Sequence, residues 1–246
     1  MIGNSNKKLL LLLLCVPLIG MGQDDKIDKS PFKIGLEFGP SITSVRGSLS
    51  SSELPNGQQV ELYNNQTFCF SGGLSFEYSL QKRFSIKTNI LYERKAALMD
   101  ITFTDLTGNV IGKYNPGYNY DYLTIPILAK YSFGEKTKLF FNTGPYFSYL
   151  INSIFTYDVK YTGGIELIDE VTTNRFNRFD AGLTIGLGGK FKIQRKLLLT
   201  IEPRYNLGLT NIINEDNFWA GNLAQDGFHN TISLLVGILY VSGNIK

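Results

Sequence analysis

Apolar and polar residues alternate strictly along about eight stretches of this chain, and a period of two constrains the fold more than any other feature. From Phe32, the residues Phe32, Ile34, Leu36 and Phe38 share one face, with Lys33, Gly35, Glu37 and Gly39 on the other. From Thr67, Phe68, Phe70, Leu74 and Phe76 oppose Cys69, Ser71, Gly73, Ser75 and Glu77. The third stretch sets Phe84, Ile86, Ile90 and Tyr92 against Ser85, Lys87, Asn89 and Glu93, and the fourth sets Leu123, Ile125 and Ile127 against Thr124, Pro126 and Lys130. The pattern returns at Leu139 to Tyr149, Phe179 to Phe191, Leu197 to Leu207 and Ile232 to Tyr240. Each stretch has about ten residues, the length a tilted strand needs to cross a bilayer.

The connections carry the second signal. Short ones fall at Leu80 to Arg83, Gly134 to Thr137 and Lys192 to Lys196, and long polar ones at Val45 to Gln66, Asp105 to Gly117, Ile151 to Arg175 and Ile212 to Gly227. Long and short alternate without exception. The reading is an all-β fold: an eight-stranded antiparallel up-and-down transmembrane β-barrel, with short periplasmic turns, long outer loops and both termini in the periplasm. A soluble barrel would turn its greasy face inward and its charges to water. Here glycines crowd the charged face, at Gly35, Gly73, Gly182, Gly186 and Gly188, as the narrow inside of an eight-stranded barrel requires.

The N-terminus fits export. Lys7 and Lys8 precede an apolar run from Leu9, and small residues Gly20 and Gly22 precede Gln23, so residues 1–22 read as a cleaved signal peptide. Residues 23–31 follow as a short periplasmic segment and residues 32–246 as the barrel domain. Leu14 before Cys15 is no lipobox, and after cleavage Cys69 alone remains, so no intramolecular disulfide can form. Removing Lys7 and Lys8 from 24 basic residues, against 21 acidic ones, leaves a formal charge of +1. Nothing in that balance suggests nucleic acid; outer-membrane lipid is the expected surrounding.

The inward face should hold Lys33, Lys87, Lys130, Lys190 and Arg204 against Glu37, Glu77, Glu93, Asp180 and Glu202. Five charges of each sign, in a lumen just wide enough for side chains, are expected to pair and plug the barrel as a structural network. Pro126, Pro145 and Pro203 conflict with a closed ladder, and β-bulges are expected at those points.

Chemistry beyond the plug is sparse. His229, the only histidine, stands four residues before Ser233, so an outer-membrane hydrolase acting on lipid is one alternative. A lone histidine at a loop-to-strand junction reads more simply as a solvated or capping residue. One His and one mature Cys build no zinc site, the loop Asn214 to Asn217 lacks calcium-loop spacing, and Gly182 to Gly189 lacks the Lys-Ser/Thr of a phosphate loop. No cofactor is expected. Trp219 is a candidate for the outer membrane interface. The other alternative is a soluble periplasmic ligand-binding barrel.

In "YDYLTIPILAKY" (Tyr120 to Tyr131), "FNTGPYFSYLI" (Phe141 to Ile151), "FDAGLTIGLGGKF" (Phe179 to Phe191) and "IEPRYNLGLTNI" (Ile201 to Ile212) the chain resembles the PorT-like outer-membrane β-barrel family of Bacteroidetes. The likeness covers nearly all of the mature chain. It implies an eight-stranded outer-membrane barrel without known catalytic activity, and envelope or secretion-system proteins as partners, since the founding member is associated with protease secretion through the type IX system. It offers no catalytic residues to carry over. The ending, "YVSGNIK", departs from the usual barrel terminus in lacking a final aromatic.

Overall fold

A computed structural model of the chain describes residues 32–47, 52–53, 59–60, 66–98, 101–104, 110–114, 116–134, 138–161, 164–214 and 226–242. The signal peptide, the segment 23–31 and the loop residues 215–225, Trp219 among them, lie outside the described residues. Those described form thirteen strands: β1 (Phe32–Arg46), β2 (Ser52–Glu53), β3 (Gln59–Val60), β4 (Thr67–Ser79), β5 (Phe84–Leu98), β6 (Ile101–Thr104), β7 (Val110–Tyr114), β8 (Gly117–Phe133), β9 (Lys138–Tyr161), β10 (Gly164–Val171), β11 (Phe179–Lys192), β12 (Leu197–Gly208) and β13 (Phe228–Ser242).

Eight of these close on themselves in the order β1-β4-β5-β8-β9-β11-β12-β13, every neighbour antiparallel, with β13 pairing back onto β1 from Phe32↔Ser242 onward. This is the eight-stranded antiparallel barrel expected from the alternation. Its stagger follows from the pairings. A walk from Lys190 through Thr200, Gly237, Glu37, Gly73, Leu91, Thr124 and Ser148 returns to β11 at Asp180, ten residues away. Such a shear tilts the strands by about 40°, within the usual barrel range.

The burial is inverted relative to a water-soluble protein. Phe38, Phe68, Phe70, Phe147, Leu187 and Ile238 stand exposed, Phe68 to 75%, while Lys87, Lys130 and Glu202 are 0% exposed. Aromatic residues edge the apolar belt at both ends. Phe84 and Tyr131 meet at 5.0 Å near the short turns, and Phe70 with Tyr92 (5.9 Å) and Tyr149 with Phe179 (5.3 Å) lie towards the other rim. Tyr78 and Phe68 are ten residues apart on β4, which at that tilt gives a belt roughly 25 Å tall, the height of a bilayer core. Just past Tyr92, Arg94 forks onto Asp121 on the outer wall, Nε at 2.7 Å and Nη2 at 3.1 Å, and there the apolar belt ends.

The prolines differ from expectation: no register shift occurs at Pro126, Pro145 or Pro203. At each the ladder lapses on one side and resumes unchanged. Thr88↔Ile127 is followed by Leu91↔Thr124 beside Pro126, Pro126↔Tyr146 by Ala129↔Thr143 beside Pro145, and Gly186↔Arg204 by Gly189↔Ile201 beside Pro203. A missing N–H removes a ladder bond without requiring an extra residue. The Pro126 carbonyl still accepts from Thr88 Oγ1 at 2.8 Å. The barrel's one register shift falls at Ile151, between Asp121↔Asn152 and Tyr122↔Leu150. Above it β9 runs on, flanked by β8 and β10, as a wall extension on the long-loop side. At the opposite end Gly134 takes a φ of +90° to leave β8, a left-handed conformation that glycine adopts without strain.

Candidate functional site

All ten charged residues assigned to the inner face by alternation are buried inside the barrel, in three tiers along its axis. In the tier nearest the termini, Glu77 on β4 receives three ammonium groups. Lys33 Nζ donates to Oε1 at 3.1 Å, Lys190 Nζ to Oε1 at 2.7 Å and Lys130 Nζ to Oε2 at 2.9 Å. Lys33 also donates to Ser79 Oγ at 2.7 Å, and Lys130 Nζ sits 3.5 Å from the Phe140 ring centroid.

In the middle tier, Lys87 donates to Glu37 Oε1 at 2.7 Å and to Glu202 Oε2 at 2.6 Å. Arg204 Nε donates to Glu202 Oε1 at 2.8 Å, and Asn89 Nδ2 to Glu37 Oε2 at 3.0 Å. Two carboxylates meet two cations, so the tier is neutral. Room for these crossing side chains comes from β11, where a Cβ on Gly186 would strike Asn142 Oδ1 and Glu202 Oε1, and one on Gly188 the Phe140 ring.

The tier nearest the long loops brings a residue that the sequence reading missed. Lys95 Nζ donates to Asp180 Oδ2 at 2.8 Å and lies 4.7 Å from the Tyr122 ring centroid. Its signal is parity: Lys87, Asn89, Leu91, Glu93 and Lys95 share one face of β5, but the apolar alternation of the opposite face stops at Tyr92, before Arg94. With Lys95 counted, the described residues place six cations and five carboxylates in the lumen, so the expected balance of signs is corrected to an excess of one positive charge. Among the described residues Glu93 has no ion pair either, and its partner is Thr124 Oγ1, donating at 2.8 Å.

His229 is corrected too. It is neither solvated nor a cap but 1% exposed, in phase with Thr231 and Ser233 on the inner face of β13. Its Nε2 lies 3.3 Å from Tyr122 Oη, and its ring meets Tyr120 edge-on at 5.0 Å. Ser233 is four residues further along the same strand, about 13 Å away at strand rise, so the two do not form a nucleophile and base pair. Tyr118, Tyr120, Tyr122, Leu150 and Phe176 pack above as an aromatic cap, and Ile212, Ile213 and Val45 complete it. Among the described residues no three His, Cys, Asp or Glu side chains gather as metal ligands. The arrangement is a stack of ion pairs under a hydrophobic lid.

Comparison with known proteins gives structural likenesses and a family. The chain is similar in structure to Neisserial surface protein A (13% identity, 86% of this chain and 97% of that one, TM-score 0.44). It is similar also to the outer membrane protein OprG of Pseudomonas aeruginosa (14%, 88% and 98%, TM-score 0.45) and to the outer membrane protease OmpT of Escherichia coli (10%, 89% and 99%, TM-score 0.45). No curated protein matches the chain. The family described as outer membrane protein beta-barrel domain matches residues 21–214, most of the sequence. With its greasy exterior and charged interior, this chain is an integral outer-membrane protein and belongs to the outer membrane protein beta-barrel domain family.

Proposed function

We propose that the protein is a non-enzymatic, closed outer-membrane barrel that works through its long loops, docking an envelope or secretion-system partner as its PorT-like motifs imply. The observation that carries this reading is the closure of the lumen by Lys87, which bonds both Glu37 and Glu202 across the barrel. A barrel filled in this way offers its surroundings a rim rather than a path. The four connections on the long-loop side (residues 47–66, 99–116, 162–178 and 209–227) carry ten acidic and three basic residues. Facing outward, with the termini in the periplasm, such a rim suits a partner of basic character. The outer edge of β10, which among the described residues pairs with β9 alone, adds a row of backbone groups that a partner strand can join.

The test is affinity capture from detergent-solubilised outer membranes, using a tag on the periplasmic side and comparing the native chain with one whose loop acids at Asp169, Glu170, Glu215 and Asp216 are replaced by Asn or Gln. A specific envelope protein that is retained by the native chain and lost from the variant supports the reading. Capture that is indifferent to the loop charges overturns it.

A further inference from the structure

We propose that the tier of Lys33, Lys130 and Lys190 is a binding site for a phosphate-type oxyanion, entered from the short-turn mouth of the barrel. Three ammonium groups face one carboxylate, so with all three protonated the tier carries two positive charges that Glu77 does not offset. The tier above cannot supply the difference, because Lys87 and Arg204 are already matched by Glu37 and Glu202. An uncompensated charge in a desolvated site is costly, and a bound anion removes that cost.

The hydrogen bonds point the same way. Each ammonium has three N–H donors; Lys190 uses one on Glu77, Lys130 one on Glu77, and Lys33 two on Glu77 and Ser79. Several buried donors therefore remain without an acceptor among the described residues. Asn142, the register partner of Lys130, is 0% exposed with both amide atoms unpartnered, so its Nδ2 adds a neutral donor beside the tier.

Access and steering are also built in. The Lys33 and Lys190 side chains keep 7% and 6% of their surface, and both stand close to the strand ends at the short-turn rim. The three short connections (residues 80–83, 134–137 and 193–196) carry five basic residues and one acidic. Such a rim draws anions to the mouth. The same chemistry fits free inorganic phosphate or the phosphate of an anionic lipid headgroup at the inner leaflet.

Two arms separate those sources. Refolded full-length protein in an uncharged detergent is titrated with inorganic phosphate by calorimetry and phosphorus NMR. In parallel, its resistance to urea is compared in phosphatidylglycerol and phosphatidylcholine nanodiscs. Saturable phosphate binding assigns the site to a free oxyanion, and extra stability in phosphatidylglycerol alone assigns it to a headgroup. In whichever arm responds, K33Q combined with K190Q should weaken the effect about tenfold or more, and E77Q should strengthen it by a similar factor, because it removes the competing carboxylate from among the three lysines. Tightening by E77Q is an outcome that a purely structural role would not produce. No response in either wild-type arm overturns the proposal, and those arms decide the matter even if a variant fails to fold.

Discussion

Lys87 on β5 and Glu202 on β12 stand on opposite walls of the barrel, four strands apart either way round, yet Lys87 Nζ lies 2.6 Å from Glu202 Oε2. Two side chains bonded across the diameter leave no open path at that level. Reconstituted protein should therefore give no steady conductance in planar bilayers, and liposomes containing it should take up small solutes no faster than empty ones. A large ion-selective current would show that the bridge does not close the lumen.

The same bridge should dominate stability. Lys87→Met leaves Glu37 and Glu202 to share Arg204, which is 3.8 Å from Glu37 and 2.7 Å from Glu202. Breaking a buried pair in this way should cost about 3 to 5 kcal/mol in urea unfolding from vesicles. Arg94→Ala removes a pair whose arginine side chain is 40% exposed and should cost less than about 1 kcal/mol. Equal costs would mean that water enters the middle tier freely.

On the outer face the expected penalty comes from lipid. Ile185, in the middle of β11, is 49% exposed within the apolar belt, whereas Val171 at the end of β10 is 73% exposed beyond it. Ile185→Arg should lower folding stability in bilayers by about 2 to 4 kcal/mol. Val171→Arg should change it by no more than about 0.5 kcal/mol, as substitutions on a wet surface usually do. Comparable costs at both positions would misplace the membrane boundary.

Much of this was legible in the sequence because, in a barrel, one local variable, parity, decides both faces. Lys33, Glu77, Lys190 and Glu202 could be placed inside from their neighbours alone. Partner identity was not legible: Glu77 meets Lys190 only because a ten-residue shear and closure bring β4 opposite β11, and neither quantity is written in any single strand. Lys95 was lost at a boundary, since β5 continues above the membrane where its outward face ceases to be apolar, as Arg94 shows. His229 was misjudged for a similar reason. Its ring is covered by Tyr120 and Tyr122 of β8, at 5.0 and 5.5 Å between centroids, residues remote from it in the chain.

The loop-side rim also makes a prediction about Cys69. The thiol lies on the inner face of β4, 5% exposed, with Sγ 3.6 Å from Thr43 Oγ1. Thr43 is itself fixed from across the wall, donating through Oγ1 to the Ala96 carbonyl and accepting from the Ala96 N–H, both at 2.9 Å. Cys69 thus sits below the aromatic cap, level with the Lys95–Asp180 tier that its strand register with β5 brings opposite it, reachable from neither mouth unless one of them opens. A thiol reacts with an alkylating reagent only as fast as it becomes exposed. In a Cys15→Ser chain, where Cys69 is the only thiol, a water-soluble maleimide should leave the folded protein unlabelled over hours and label it fully once urea unfolds it. Phe176→Ala, which thins the cap without touching an ion pair, should allow labelling from the loop side while the barrel still migrates as a folded species on an unboiled gel. Rapid labelling of the native barrel would show the upper lumen open to water, and the cap would then be no seal.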